Sequence, residues 1–135
     1  MSRLTVNVDG GARGNPGPAA IGVVLRGDGE VLEEVGETIG EATNNVAEYR
    51  ALLRGIELAA AHGASELELI GDSELVVRQV EGRYKVKNAG MKELHKEVVR
   101  ALREFDSWKI RHVRRAENAD ADRLVNQALD GALDG

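Results

Sequence analysis

The first third of the chain alternates apolar and polar residues with a period of two, as strands with one buried face do. The first of these segments carries the apolar residues Leu4, Val6 and Val8. Two further apolar runs, Ile21 to Leu25 and Val31 to Ile39, are separated by the turn Gly27-Asp28-Gly29. This pattern predicts three strands joined by short turns in an antiparallel meander.

The apolar spacing then changes to that of a helix. Thr43 is a candidate N-cap, and the helical pattern ends near Gly63. The apolar positions between them are Val46, Tyr49, Leu53, Ile56 and Ala60. We expect a helix of several turns that buries this stripe.

The remainder of the chain predicts one strand, two helices, another strand and a last helix. The strand covers Leu67 to Ile70, the helices cover Leu75 to Val80 and Met91 to Phe105, and the next strand covers Trp108 to Val113. The last helix is marked by the apolar residues Ala121, Leu124, Val125, Ala128 and Leu129. Only the end from Asp130 to Gly135 is expected to fray.

This order of elements predicts an α/β domain with a mixed five-stranded sheet flanked by helices. The first and fourth strands are expected to be parallel neighbours, joined by a right-handed crossover. With 135 residues, the chain suits a single domain over residues 1–135. We expect it to act as a monomer.

Composition limits the possible chemistry. No apolar run approaches the length that crosses a bilayer, and the segment from Met1 to Asn7 lacks the apolar stretch of a secretory signal. Cysteine is absent, so disulfides and thiolate metal sites are excluded, and any metal must bind oxygen or imidazole. We therefore expect a cytoplasmic protein without a membrane partner.

The charge is unevenly distributed along the chain. The net charge is −5, but the segment from Arg78 to Arg115 holds 12 Lys and Arg against 5 Asp and Glu, while the rest holds 6 against 18. A basic segment of this kind either contacts phosphates or forms a solvated surface. Charge alone does not decide between these interpretations.

Four carboxylates lie where the pattern predicts buried or functional positions. Asp9 ends the first predicted strand and Asp72 ends the fourth, so parallel neighbours would bring both to one sheet edge. Glu48 lies on or beside the apolar stripe of the first helix, and Asp122 shares its side of the last helix with Val125. Asp9 and Asp72 are therefore expected to emerge at one sheet edge, and Glu48 and Asp122 are expected to point inward.

Each carboxylate also has an ordinary interpretation. Asp72 could cap a helix, Asp122 could complement a helix dipole, Asp9 could be a turn residue and Glu48 could be a surface charge. Together, however, inward carboxylates need a compensating positive charge. A divalent cation such as Mg²⁺ or Mn²⁺ suits a set of hard oxygen ligands. Two such ions can assist phosphodiester hydrolysis.

Four sequence blocks that contain these acids resemble, in order, those of the type 1 ribonuclease H family. They are Asp9-Gly10-Gly11-Ala12-Arg13-Gly14-Asn15-Pro16-Gly17-Pro18, Thr43-Asn44-Asn45-Val46-Ala47-Glu48, Asp72-Ser73 and Asn118-Ala119-Asp120-Ala121-Asp122-Arg123-Leu124. The resemblance covers nearly the whole chain. It implies a ribonuclease H-like fold and an endonuclease that cuts the RNA strand of RNA/DNA hybrids, leaving 3′-hydroxyl and 5′-phosphate ends.

The resemblance also implies roles for individual residues. The metal ligands would be Asp9, Glu48, Asp72 and Asp122, holding two Mg²⁺ or Mn²⁺ ions with Asp9 between them. Substrate contacts would come from Gly11, Asn15, Asn44 and Asn45, whose backbone or amide groups suit the minor groove of a hybrid. The alternative for the adjacent pair Asn44 and Asn45 is helix-start chemistry.

Other family positions are less closely matched. His112 stands six residues before Asn118, the spacing of a histidine that assists product release, although its neighbours read as a strand. Glu74 occupies a substrate-contact position where many members carry Gln, so that contact should be weakened or rearranged. The segment from Gly82 to Asn88 is too short for the basic protrusion of longer relatives. Part of the grip could come from Lys85, Lys87, Arg111, Arg114 and Arg115, for each of which a solvated surface position is the alternative.

Two other functions remain open at this point. One is a binding module that keeps the fold without catalysis, although the complete carboxylate set argues against it. The other is a related nuclease that prefers double-stranded RNA or DNA, because one fold can host several activities.

Overall fold

The structure is a computed structural model that describes residues 2–134 and the side chains of residues 2–131. Its strands are β1 (Arg3–Ala12), β2 (Gly17–Gly27), β3 (Glu30–Ala42), β4 (Glu66–Gly71) and β5 (Ser107–His112). Its helices are α1 (Asn44–Ala61), α2 (Glu74–Val80), α3 (Ala89–Leu102), the 3-10 helix η1 (Arg115–Asn118) and α4 (Ala119–Asp134).

The five strands form one mixed sheet in the order β3-β2-β1-β4-β5. The β1–β2 and β2–β3 pairs are antiparallel, whereas β1–β4 and β4–β5 are parallel. The predicted α/β class, the five-stranded sheet and the parallel pairing of the first and fourth strands are confirmed. Helix α1, between β3 and β4, is part of the crossover that this pairing requires.

Helices cover both faces of the sheet. On one face, α1 and α3 enclose the main core, which includes Val6, Tyr49 and Val98, all fully buried. On the other face, α4 packs over β2, where Ala20, Val125 and Leu129 form a smaller core. Side chains of one strand therefore alternate between the two cores, as the period of two requires.

Three predicted boundaries differ from the structure. The first strand does not end at Asp9, because antiparallel pairing with β2 continues to Ala12 opposite Ala19. The helix expected to reach Phe105 ends at Leu102, and η1 was not expected. Helix α4 extends to Asp134, beyond the last apolar residue, Leu129, that marked it in the sequence, and the expected fraying of the end stays a prediction; Gly135 lies outside the described residues.

Candidate active site

Asp9 and Asp72 lie together because the parallel pairing of β1 with β4 stops just before both residues. The pairing of β1 with β4 ends at Val8 opposite Gly71. Asp9 and Asp72 are the next residues on their respective chains. Asp9 is held on its other side by β2, so the carboxylate sits on a rigid strand and not in a turn. Its interpretation as a turn residue is therefore wrong.

Glu48 reaches the same edge from the start of α1. The hydroxyl of Thr43 accepts a hydrogen bond from Val46 N at 3.2 Å, which confirms the predicted N-cap. A Cβ at Gly10 would lie 2.2 Å from the carbonyl carbon of Ala47, so only glycine lets α1 approach β1 this closely. Gly10 N then donates to Glu48 Oε1 at 3.0 Å. Glu48 is 6% exposed, so its interpretation as a surface charge is wrong.

The structure brings all four acids to one cleft of about 540 Å³. Ligand oxygens of Asp9, Glu48 and Asp72 lie within 4.8 Å of one another. Asp122 lines the same cleft from the first turn of α4, with a side chain that is 28% exposed. It accepts a hydrogen bond from Arg115 Nη2 at 3.2 Å. The arrangement is therefore a compact group of three carboxylates with the fourth beside it.

Burial and like charge make this cluster hard to ionise. Burial, with smaller contributions from the charges of Asp72 and Asp122, raises the pKa of Asp9 to about 7. Burial and the adjacent Asp9 raise the pKa of Glu48 well above its usual range, although the Gly10 N–H opposes this shift. Burial also raises the pKa of Asp72. The site therefore holds protons near neutral pH unless a cation replaces them.

Arg115 brings a positive charge into the cleft. Its hydrogen bond to Asp122 and the charge of that residue raise the pKa of Arg115 above its ordinary value. Sequence reasoning placed Arg115 among possible phosphate contacts but missed this pairing. The sequence does place a basic residue seven positions before Asp122, within the short η1 turn that leads into α4, and this spacing could have indicated the pairing.

Asp72 is not a helix cap. The cap of α2 is Ser73, whose Oγ accepts from Val76 N at 3.4 Å. Asp122 does lie in the first turn of α4, and it shares its side of the helix with buried Val125 as predicted. The dipole interpretation of Asp122 is therefore compatible with its place in the cleft.

Three of the predicted substrate contacts, Gly11, Asn44 and Asn45, line the cleft. Asn44 Oδ1 accepts from Ala12 N at 2.8 Å, and Asn15 Oδ1 accepts from Asn44 N at 3.0 Å. These bonds attach the β1–β2 turn to the start of α1. Both side chains are exposed, and among the described residues their amide nitrogens have no protein acceptor. Each amide is therefore free to donate to a ligand.

Asn15, Glu74 and His112 are not among the residues that line the cleft. Glu74 is the exposed first residue of α2, with Oε2 3.9 Å from Arg78 Nη2. His112 is the half-buried last residue of β5, where it pairs with Gly71. The strand environment expected for His112 is confirmed, whereas its catalytic role stays a prediction.

The chain is similar to known proteins both in sequence and in structure. Residues 7–128 match a protein family described as reverse transcriptase-like. The chain is 47% identical to ribonuclease HI of Halobacterium salinarum over 96% of its length. It resembles the crystal structure of RNase H1 from that archaeon with a TM-score of 0.93, covering 96% of this chain and 98% of that one. It also resembles LC11-RNase H1 in complex with an RNA/DNA hybrid, with 46% identity and a TM-score of 0.91 over 96% and 99% of the two chains.

The chain spans only part of the first curated relatives that it matches. It covers 66% of the Halobacterium salinarum protein and 36% of a bifunctional protein of Mycobacterium tuberculosis. Among the helices that the structure describes, none combines the length and the apolar character needed to span a bilayer.

Proposed function

This chain belongs to the type 1 ribonuclease H family, and on that basis we propose that it is a metal-dependent endoribonuclease that hydrolyses the RNA strand of RNA/DNA hybrids. Cleavage would leave 3′-hydroxyl and 5′-phosphate ends. The observation that carries the proposal is the group of three carboxylates, Asp9, Glu48 and Asp72, supplied by three different elements at one sheet edge. All the proposed ligands come from one chain, so the site needs no second subunit.

The residues present fit a site for hard divalent cations. Asp9 and Glu48 are 7% and 6% exposed, and burial raises their pKa values, so ionising them together calls for a positive charge close by. Their donors are all carboxylate oxygens, the ligands that Mg²⁺ and Mn²⁺ prefer. We assign Asp9, Glu48, Asp72 and Asp122 to two such ions. When bound, they would activate water and stabilise the leaving oxygen.

Asp9 is the best candidate for the shared ligand. Its carboxylate lies within 4.8 Å of those of Glu48 and Asp72, and its pKa responds to these two acids and to Asp122. Ligation requires these carboxyls to give up their protons, and Asp9 has to release its proton near pH 7. Metal affinity and activity should therefore rise as the pH passes through neutrality.

The rim of the cleft supplies groups suited to a hybrid. Amide groups of Asn44 and Asn45 and the backbone at Gly11 can reach a minor groove, where the 2′-hydroxyl distinguishes RNA from DNA. We assign Asn15 to the same surface because it positions Asn44. Glu74, at the exposed start of α2, is proposed as a weakened contact.

The loop after α2 carries the basic residues proposed to contact phosphates. Gln79, buried beneath it, donates from Nε2 to Lys85 O at 3.2 Å and accepts from Tyr49 Oη at 2.6 Å. This anchor holds Lys85 and Lys87 in a short, ordered loop. Of the other proposed contacts, Arg111 lies 3.6 Å from Glu68, which reduces its availability.

The decisive experiment compares three duplexes of one sequence: RNA/DNA hybrid, double-stranded RNA and double-stranded DNA. We expect Mg²⁺- or Mn²⁺-dependent cutting of the RNA strand of the hybrid and none with chelator. Preferred cutting of double-stranded RNA or DNA would support the alternative nuclease. Binding of the hybrid without cutting in either metal would support the binding module.

A further inference from the structure

Four polar side chains form a continuous network beneath the start of α4. Arg26 of β2 donates from Nη1 to Asn7 Oδ1 at 2.8 Å and from Nη2 to Asp120 Oδ2 at 2.7 Å. Asn7 Nδ2 donates to Asn118 Oδ1 at 3.0 Å. Asn118 Nδ2 donates to the carbonyl oxygen of Val8 at 2.8 Å. The network thus runs from α4 through β2 and β1 to the residue before Asp9.

The network lies on the sheet face that carries the site. Asn7 and Asp9 are two residues apart on β1, so their side chains point to the same side. That side faces α4, because a Cβ at Gly11 would lie 3.7 Å from Val125 Cγ1. Asn118, which joins η1 to α4, is 1% exposed and satisfied at both ends of its amide. Such a fully paired buried amide fixes the position of its neighbours.

The first turn of α4 carries Asp122 into a cleft that Asp9, Glu48 and Asp72 also line. Like charges at this range repel one another, and Arg115, the ion-pair partner of Asp122, is itself exposed. Buried Ala121 packs the first turn of α4 against Gly22 of β2, and Val125 and Leu129 anchor the next two turns. Arg26 adds a polar tie to the same turn, because it pairs with Asp120, two residues before Asp122.

We infer that Arg26, Asn7 and Asn118 are positioning residues that hold Asp122 at the site before any cation binds. They do not touch the proposed metal or substrate positions; they act through the first turn of α4. The inference rests on the proposed metal-dependent function. It goes beyond that function because it gives a role to Arg26, Asn7 and Asn118, which the proposed function does not involve. Groups behind metal ligands commonly change metal affinity about tenfold or more when they are removed.

The test measures metal binding directly. Mn²⁺ is titrated calorimetrically into the folded chain without nucleic acid, for wild type, Arg26→Ala and a matched control. The control is Arg123→Ala, because Arg123 Nη2 also ties α4 to the sheet, through Glu34 Oε2 at 3.0 Å. Both variants lose one arginine ion pair between α4 and the β2–β3 hairpin. Thermal unfolding of each variant separates loss of fold from loss of the site.

We expect Arg26→Ala to weaken Mn²⁺ binding about tenfold, while Arg123→Ala stays within about twofold of wild type. Should Arg26→Ala not fold, Asp120→Asn keeps the shape and removes the charge, and it should weaken Mn²⁺ binding in the same direction. Unchanged binding in the folded variant overturns the inference, and so does an equal loss in Arg123→Ala. Cleavage is scored separately, so a wild type that binds Mn²⁺ but cuts no hybrid overturns the proposed function alone.

Discussion

Replacing Asp9 by Asn should stabilise the metal-free protein while removing its activity. The substitution deletes one negative charge from the centre of the cluster at nearly constant shape. Burial and the nearby charges raise the pKa of Asp9 from 3.8 to about 7, and a shift of that size corresponds to about 4 kcal/mol as an upper bound. Protons are shared among the neighbouring acids, so we expect a gain of about 1–3 kcal/mol at pH 8.

The pH dependence follows from the direction of the shifts. The pKa values of Asp9, Glu48 and Asp72 are raised in the folded state, that of Asp9 to about 7, so above their unfolded values the native protein binds more protons than the unfolded chain. The stability that these three groups contribute in the chelated wild type is therefore fully present below their unfolded pKa values and is lost as the pH rises through the folded ones. Asp9→Asn should lose less stability than wild type over the same rise in pH.

The assay is thermal unfolding of wild type and Asp9→Asn, with chelator and with Mg²⁺, at pH 5 and pH 8 and matched ionic strength. With chelator at pH 8, the variant should unfold about 4–10 °C higher. The gap should narrow at pH 5, and also with Mg²⁺, because the full ligand set of the wild type gains more from binding. Asp106→Asn removes an exposed charge outside the cleft and serves as the control. A lower unfolding temperature for Asp9→Asn under chelator would refute the reasoning.

Three further predictions concern the salt dependence of hybrid affinity, the packing of α1 against β1 and the role of His112. Hybrid affinity should fall about 10²-fold or more between 50 and 200 mM salt, because phosphate contacts dominate; equal affinities in a binding titration would contradict this. Gly10→Ala should destabilise the folded protein by about 3 kcal/mol or more, because the new Cβ would lie 2.2 Å from the backbone of Ala47. Gly11→Ala should be tolerated, because its Cβ would lie 3.7 Å from Val125. Equal denaturation midpoints for the two variants would refute this difference. His112→Ala should keep a single-turnover cleavage rate within about threefold of wild type, because His112 lies outside the cleft lining. A rate loss seen only under multiple-turnover conditions would instead support a role of His112 in product release.

The fold and the three clustered acids could be predicted because the patterns of apolar residues that indicate them involve residues close together in the sequence. Alternation with a period of two marked β1, and helical spacing marked α1 and placed Glu48 beside its buried stripe. The inference that Asp9 and Asp72 meet needed one topological rule, the parallel pairing of neighbouring strands. Where the strand was expected to end, only the antiparallel partner β2 could show that it continues.

The missing parts depend on residues far apart in sequence. Asn7 and Asn118 are 111 residues apart, and neither belongs to an apolar period that would reveal the contact. The pairing of Arg115 with Asp122 depends on the η1 turn, whose four residues carry no helical pattern of their own. Asn44 was predicted as a substrate contact, but its additional bond to Ala12 requires the folded turn.

The most direct test of the central claim is single-turnover cleavage of a preformed complex with RNA/DNA hybrid, started with Mg²⁺, for wild type and Asp9→Asn. Because Asp9 lies at the centre of the acidic cluster, we expect the variant to bind the hybrid with similar affinity and to lose about 10³-fold or more in rate. Cleavage by Asp9→Asn at the wild-type rate would contradict a mechanism based on these carboxylates.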